Sequence, residues 1–368
     1  MDHRANHVVT APRPPMEIGC FTFGELTTDP ATGRLRDPAT RLGEFIELAR
    51  IADASGLNVF GVGEHHRPDF AIASPAVVLA AIAARTTRIR LTSTVTVLST
   101  ADPVRVFEDF ATLDLLANAR AEITVGRGAY VESFPLFGYD LNDYDALFEE
   151  KLGLLEQLNE SERVTWSGQF RAPLVNAGVY PRPVQDRLPI WVAVGGTPAS
   201  ADRAGRHGLA LYLAILGQPR RFVELAARYR AAGASAGHRD LRVGVTSHVH
   251  VARTSQGARD TFYPYYSRYI GQNMPAARGN PLARDAFESW AAPEGALLVG
   301  SPAEIVDKIL FEHDLLGHDR FLAQVGLGGL PFADTAEAIE LLATEVLPEV
   351  ERALRTPPAR SSALSSTR

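Results

Sequence analysis

The sequence of 368 residues contains a single cysteine, Cys20. One thiol excludes a disulfide within the chain, a Cys-x-x-Cys redox pair and an iron–sulfur cluster held by cysteines. Lysine is nearly as scarce, since only Lys151 and Lys308 occur. The abundant arginine and alanine are typical of genomic base composition, so they do not indicate a phosphate-binding patch for nucleic acid.

Long apolar runs are also missing. The most apolar stretch, residues 71–84, is shorter than the roughly 20 residues that span a bilayer, and residues 1–15 lack the apolar core of a secretory signal. The formal net charge of -6 argues against a nucleic-acid or anionic-membrane partner. A lone thiol suits a reducing compartment, so we expect a cytoplasmic protein.

The sequence does contain a regular alternation of strand-like and helix-like segments. Runs rich in β-branched residues recur eight times, and amphipathic helical patterns fit between and after them. The predicted strands cover residues 17–23, 58–63, 89–98, 121–125, 189–194, 209–213, 243–251 and 321–325. Such alternation indicates parallel pairing in a closed barrel or a doubly wound sheet, and eight repeats favour an α/β fold of the (β/α)8 TIM-barrel type.

The predicted barrel is one domain over residues 16–355. Residues 1–15 and 356–368 are interpreted as disordered tails. Residues 271–295, before the eighth strand, are rich in glycine, proline and alanine and are long for a simple loop, so we interpret them as an insertion that forms a lid.

Four predicted helix starts share one pattern, an oxygen-bearing side chain followed by proline. The side chain can cap free backbone N–H groups, and proline loses nothing at the first helical position. The four pairs are Ser74-Pro75, Asp102-Pro103, Thr197-Pro198 and Ser301-Pro302.

Functional groups of a parallel barrel gather at the C-terminal ends of its strands. Gly63-Glu64-His65-His66 follows the second predicted strand. A histidine there can exchange protons near neutral pH, and a neighbouring carboxylate can orient it. The residues alone allow equally a histidine pair in a loop without a catalytic role.

Two further segments follow the fourth and fifth strands. Arg127 lies between two glycines that permit close backbone approach, and its guanidinium suits a phosphate. Gly195-Gly196-Thr197-Pro198 opens a helix, where free N–H groups and the positive end of the dipole favour an anion. A surface arginine and an ordinary strand-to-helix turn explain these segments as well.

Two other kinds of site are weaker alternatives. His65, His66, His248 and His250 could belong to a metallohydrolase, but a metal needs three or four convergent ligands and no carboxylate is clearly placed with them. No glycine motif satisfies the dinucleotide fingerprint in context, so neither a metal nor a nicotinamide cofactor is predicted.

At these segments the sequence resembles the bacterial luciferase-like family of flavin-dependent oxidoreductases, over residues 16–354. Five short motifs keep the order and spacing of that family, which is far more specific than any one of them. They are Glu64-His65-His66, Leu98-Ser-Thr-Ala-Asp-Pro-Val-Arg-x-x-Glu-Asp109, Leu113-Asp114, Arg127-Gly128-x-Tyr130 and Phe137-Gly-x-Asp140.

The resemblance implies a monooxygenase that binds reduced FMN (FMNH2), forms a peroxyflavin with dioxygen and oxidises a small organic substrate. His65 is then the catalytic base, supported by Glu64 and His66. The residues implied in cofactor binding are Thr94 and Val95 at a cis peptide beside the flavin ring, Arg127 and Tyr130, the backbone of Gly195 and Gly196, and the side chains of Thr197 and Ser200.

This sequence departs from the family pattern at two places. Gly126 replaces a reactive cysteine of the luciferase catalytic subunit, and Gly195-Gly196 replaces its acidic-serine segment. Light emission and a long-chain aldehyde substrate are therefore not implied.

The family resemblance also suggests partners and leaves alternatives open. We expect a separate flavin reductase, since no nicotinamide site is predicted, and a homodimer formed through helices on one side of the barrel. Hydride transfer with a deazaflavin cofactor and a flavin-binding protein without catalysis are the two alternative functions.

Overall fold

The computed structural model describes residues 15–28, 35–128, 130–274, 277 and 279–355. Apart from Pro15, both predicted tails lie outside the described residues. So do residues 275, 276 and 278 of the predicted lid.

Twelve strands occur in the described part of the chain. In chain order they are β1 (Glu17–Thr22), β2 (Val59–Val62), β3 (Arg90–Ser93), β4 (Thr96–Val97), β5 (Ala121–Gly126), β6 (Arg163–Trp166), β7 (Leu174–Gly178), β8 (Ile190–Val194), β9 (Ala210–Ala214), β10 (Val243–Val251), β11 (Leu298–Gly300) and β12 (Arg320–Gln324). Eight of them, β1, β2, β3, β5, β8, β9, β10 and β12, pair in parallel in that order, and β12 pairs back with β1. The closed ring confirms the predicted (β/α)8 barrel.

Helices surround the barrel and connect its strands. In chain order they are α1 (Pro38–Ser55), α2 (Pro75–Ala83), α3 (Pro103–Ala117), α4 (Ser133–Leu136), α5 (Tyr144–Glu160), α6 (Pro198–Arg206), α7 (Val223–Ser235), α8 (Ser255–Asn273), α9 (Arg284–Ala291), α10 (Pro302–Leu316), α11 (Phe332–Leu341) and α12 (Leu347–Arg355). None of the helices in the described ranges is both long and apolar enough to cross a bilayer.

Several elements were not predicted. The antiparallel hairpin β6–β7 lies apart from the barrel, and β11 pairs with the C-terminal end of β10. The strand predicted over residues 89–98 is divided into β3 and β4, with Thr94 and Val95 between them, and β4 pairs with β5. Helix α9 falls inside the predicted lid and buries Phe287 against α8. The Lys308 ammonium donates hydrogen bonds to the Ala291 and Ala292 carbonyls at the end of α9, which anchors this part of the insertion to α10.

The four expected helix caps form only in part. The Asp102 carboxylate accepts a hydrogen bond from the Val104 N–H at 2.8 Å, and Ser301 forms a complete capping box with Glu304. The prediction is wrong for Ser74 and Thr197, whose hydroxyls make no capping bond. For Thr197 the reason is visible, because its hydroxyl accepts a hydrogen bond from an arginine described below.

Successive side chains of each barrel strand point alternately outward and inward, so they contribute to two different apolar cores. Outward-facing side chains pack against the helices in the larger core. Inward-facing side chains fill the barrel with a small cluster of Phe21, Val59, Trp191, Tyr212 and Leu322. This cluster is the floor beneath the C-terminal mouth of the barrel.

A buried ion pair closes the N-terminal end of the barrel. The fully buried Arg320 guanidinium donates to the Glu122 carboxylate at 2.5 and 3.0 Å and to Glu17 at 2.7 Å, and it lies 4.4 Å from the Trp191 ring. Burial raises the pKa of Glu122, but Arg320 and Arg90 outweigh it and hold that pKa at about 2. Each charge is thus compensated within the barrel.

Glu122→Gln tests this ion pair. Removing one partner leaves Arg320 incompletely compensated, so the free energy of unfolding at pH 7 should fall by about 3–5 kcal/mol. Glu122 stabilises the fold above its ordinary pKa of 4.5, and this contribution is lost as the pH falls toward about 2. The difference between variant and wild type in urea titrations should therefore shrink across that window. Glu160→Gln, in an exposed pair with Arg187, is the control and should change little; equal losses in both variants would contradict the role of Glu122.

Candidate active site

Four adjacent strands bring the predicted site segments to the mouth of the barrel. The histidine segment follows β2, Thr94 and Val95 follow β3, Arg127 follows β5 and Gly195 follows β8. Because β2, β3, β5 and β8 are neighbours in the ring, these segments form one continuous wall.

His65 lies within a group of aromatic rings. Its ring centroid is 4.2 Å from that of Phe70, 4.9 Å from Phe23 and 5.1 Å from Tyr130. The Nε2 atom is buried without a hydrogen-bond partner among the described residues. Burial, with the nearby Arg67 cation, lowers the pKa of His65 to about 4. The imidazole is therefore neutral at pH 7 and can accept a proton or a hydrogen bond.

Glu64 braces the histidine segment. One carboxylate oxygen lies 2.9 Å from His66 Nε2, and the other accepts a hydrogen bond from the Val97 N–H at 3.0 Å. The hydrogen bond to Glu64 raises the pKa of His66 above its usual value. Glu64 thereby ties the loop after β2 to the end of β4.

The wall between β2 and β5 has glycine at two strand ends, Gly63 and Gly126, and is called the glycine wall below. The Thr94–Val95 peptide bond is cis, as the resemblance implied. A Cβ on Gly63 would lie 2.5 Å from Phe23 Cδ1, and one on Gly126 would lie 2.8 Å from Val95 Cγ2. Glycine is therefore needed at both positions, and Gly126 leaves no room for a cysteine side chain without a shift of Val95.

Arg127 joins the two segments that were predicted to bind a phosphate. Its Nη2 donates to Thr197 Oγ1 at 3.1 Å, and its Nη1 lies 2.6 Å from the Asp145 carboxylate at the start of α5. The guanidinium also lies 4.7 Å from the Tyr144 ring. These contacts hold the Arg127 cation beside the N-terminus of α6. The guanidinium and the positive end of the helix dipole both attract an anion.

The N-terminus of α6 has free polar groups and open space. The side chain of Ser200 is buried, and its hydroxyl has no partner among the described residues. A Cβ on Gly195 or Gly196 would meet no atom within 4 Å. A cavity of about 320 Å³ adjoins both glycines and is also lined by Arg221. The Ser200 hydroxyl, the Arg127 guanidinium and the open space beside the glycines fit a phosphate group. The residues present are therefore compatible with the phosphate of flavin mononucleotide.

Tyr130 lies across the mouth from these glycines. Its hydroxyl donates to Asn273 Oδ1 at 3.2 Å, at the end of α8, and the Arg67 guanidinium lies 4.5 Å from its ring. Tyr130 thus connects the loop after β5 to the end of α8, which lies inside the predicted lid.

The two histidines of β10 do not join His65 and His66 in a metal site. His248 Nδ1 is 2.8 Å from the Tyr266 hydroxyl, and His250 stacks on Phe262 with ring centroids 5.3 Å apart. Within the described ranges, no group of three or more histidine, cysteine or acidic side chains could hold a metal ion.

Two acidic residues of this region were not predicted from the sequence. Asp145 had no distinguishing signal, because an exposed acid at a helix start is common. Glu25 lies in the loop after β1, yet its side chain is only 4% exposed. An acid two residues after Phe23, close to the end of a buried strand, was the one available hint.

Comparison with known proteins gives a consistent result. A family model for luciferase-like monooxygenases matches residues 16–319. The oxygenase component of the flavin-dependent trigonelline monooxygenase of Acinetobacter baylyi is 25% identical over 83% of this chain and 89% of that protein. An F420-dependent glucose-6-phosphate dehydrogenase of Kineococcus radiotolerans is 34% identical over 45% of this chain and 50% of that protein.

A solved structure extends the comparison to the fold. The monooxygenase RslO1 from Streptomyces bottropensis has a TM-score of 0.78 and 26% identity, and the match covers 91% of this chain and 99% of that one.

Glu64→Gln tests whether Glu64 sets the pKa of His66. The amide still satisfies the Val97 N–H but offers His66 no negative charge, so the raised pKa of His66 should fall to its usual value of 6.5 or below. Histidine ring signals followed by NMR against pH measure this directly. His207, whose pKa is raised by Glu156, should not change and is the internal control. An unaltered His66 pKa would mean that Glu64 does not set its protonation.

Proposed function

Because this chain belongs to the luciferase-like monooxygenase family, we propose that it uses reduced FMN and dioxygen to oxidise a small organic substrate. A reduced flavin supplies the electrons that activate dioxygen for transfer of one oxygen atom. The polypeptide binds and orients the flavin, keeps water away and manages protons.

The contact between Arg127 and Thr197 is the observation that carries this proposal. It joins two segments 70 residues apart at a helix N-terminus, where Ser200 and the Gly195–Gly196 backbone offer further free groups. A phosphate at this position would bridge the guanidinium and the backbone N–H groups. Thr94 and Val95 would contact the flavin ring, as the family resemblance implies.

His65 is placed to manage protons beside that ring. Its neutral imidazole has a free Nε2 in an apolar surrounding, so it can accept a proton from the reacting groups. Glu64 and His66 act through the backbone, because they fix the loop that carries His65.

The deazaflavin alternative rests on the F420-dependent relative. Coenzyme F420 also carries a phosphate, so the Arg127 region suits either cofactor. Affinities for reduced FMN and reduced coenzyme F420, measured anaerobically, separate them. Tighter binding of FMN supports the monooxygenase function. Tighter binding of coenzyme F420 would instead support hydride transfer with the deazaflavin cofactor.

Arg127→Gln should weaken binding of FMN but not of riboflavin, which lacks the phosphate. Loss of a hydrogen bond to a charged group costs about 1.5–3 kcal/mol, or roughly 10–150-fold in affinity. Flavin fluorescence titrations give both constants, and Arg187→Gln on the exposed surface is the matched control. Equal losses for the two flavins would show that Arg127 does not contact the phosphate.

We also propose that a separate flavin reductase supplies the reduced flavin. The sequence has no dinucleotide fingerprint, and the trigonelline enzyme is described as an oxygenase component. The purified protein mixed with FMN and NADPH should oxidise NADPH no faster than FMN does without the protein. Added flavin reductase should make the oxidation rapid. Rapid NADPH oxidation by the protein itself would contradict a two-component system.

A homodimer through α2 and α3 is the proposed assembly. These packed helices expose Val77 (70%), Leu115 (48%) and Leu116 (64%), an apolar surface that a second copy can cover. Sedimentation velocity should show a dimer for the wild type and a monomer for Leu116→Glu. Val175→Glu, at an equally exposed valine of the β6–β7 hairpin, should remain dimeric. A monomeric wild type would refute this assembly.

A further inference from the structure

Glu25 is a buried acid that the proposed mechanism does not use. Its side chain is 4% exposed, and no side chain of the described residues forms a hydrogen bond with either carboxyl oxygen, although the Gly328 backbone N–H lies near it. The residue forms an isolated β-bridge with Phe70, whose ring is the nearest aromatic neighbour of His65. Glu25 therefore belongs to the aromatic side of the mouth, opposite the proposed phosphate position.

Four titratable or charged groups from four elements surround this carboxyl. They are Arg41 on α1, Asp69 after β2, Tyr130 after β5 and Tyr269 on α8. Burial raises the pKa of Glu25 to about 8, although Arg41 and the Gly328 N–H oppose the shift. At pH 7 the side chain is mainly an un-ionised acid and has an O–H to donate.

Another polar group at the same mouth is also buried without a partner. His65 Nε2 makes no hydrogen bond within the described structure, and Tyr269, which shares a hydrogen bond with Gln324, lies near Glu25. An unmade buried hydrogen bond costs about 1–3 kcal/mol, so an acid and an imidazole gathered at a mouth in this way indicate a ligand that satisfies them. Of the two, the Glu25 O–H is the donor.

We propose that Glu25 recognises the substrate by donating a hydrogen bond to a carbonyl or hydroxyl oxygen, while the substrate's apolar body packs on Phe23, Phe70 and Tyr130. The assignment deepens the proposed function and rests on it. It names the substrate class as a neutral, largely apolar organic compound that carries an oxygen acceptor.

A hydrophobic carbodiimide tests whether Glu25 is both protonated and reachable. An un-ionised carboxyl transfers its proton to dicyclohexylcarbodiimide and its oxygen adds to the central carbon of the reagent; rearrangement gives a stable N-acylurea, which mass spectrometry locates. Glu312 is an internal control, because it too is buried with a pKa of about 8 but faces Ser247 at 3.4 Å on the outer side of the barrel. Labelling of Glu25 should be at least about tenfold faster, since Glu312 requires local opening, and should slow as the pH rises through about 8. Equal labelling of the two acids, or none at Glu25, would overturn the proposal.

Two variants and two matched ligands test the hydrogen bond. Calorimetry compares 1-tetralone with tetralin, which has the same carbon skeleton but no oxygen. Glu25→Leu should lower the affinity for 1-tetralone by about 5–10-fold, the effect of one hydrogen bond, and leave tetralin unaffected; Glu25→Gln, which keeps a donor, should stay near wild type. An equal effect on both ligands, or no binding of 1-tetralone to the wild type, would overturn the substrate class.

The flavin measurements keep this inference separate from the proposed function. The carbodiimide result needs no flavin, so it can fail while FMN binding succeeds. Wild-type protein that binds neither FMN nor riboflavin would contradict the proposed function, whatever happens at Glu25.

Discussion

The glycine wall of the barrel mouth is the constraint on which the site depends. Glycine ends β5 and directly follows β2 and β8, on the inward-facing side of three of the four neighbouring strands. At Gly63 and Gly126 a larger residue would collide with Phe23 and Val95, and at Gly195 it would fill open space. Glycine therefore lets Phe23 and Val95 pack against the strand ends at Gly63 and Gly126, and it leaves the backbone open at Gly195.

Two polar networks hold the glycine wall in place. Glu64 links the loop after β2 to Val97, and Arg127 links β5 to α5 and α6 through Asp145 and Thr197. Each network joins segments that are far apart in sequence, so the positions of the groups around the mouth follow from the barrel and not from one loop. Below them, the apolar floor and the buried Arg320–Glu122 pair seal the other end of the barrel. Ligand access is thus directed to the C-terminal mouth.

Much of the fold could be predicted because strand and helix periodicities are local. All eight barrel strands were located within a few residues, and His65 and Arg127 follow strand ends as predicted, where the functional groups of barrels gather. The contact from Glu64 to Val97 spans 33 residues, and the burial of Glu25 depends on how loops pack over the mouth, so neither could be predicted from local pattern. The failed cap at Thr197 has the same origin, because a distant arginine binds the hydroxyl that local rules assign to the helix.

Anaerobic stopped-flow mixing tests the central claim most directly. Reduced FMN bound to the protein is mixed with air-saturated buffer, and the return of oxidised-flavin absorbance is compared with that of free reduced FMN. A monooxygenase that shields activated oxygen from water predicts a clear delay before oxidised flavin appears, with little early hydrogen peroxide. Reoxidation at the rate of free flavin, with peroxide released at once, would contradict this account and favour a flavin-binding protein without catalysis.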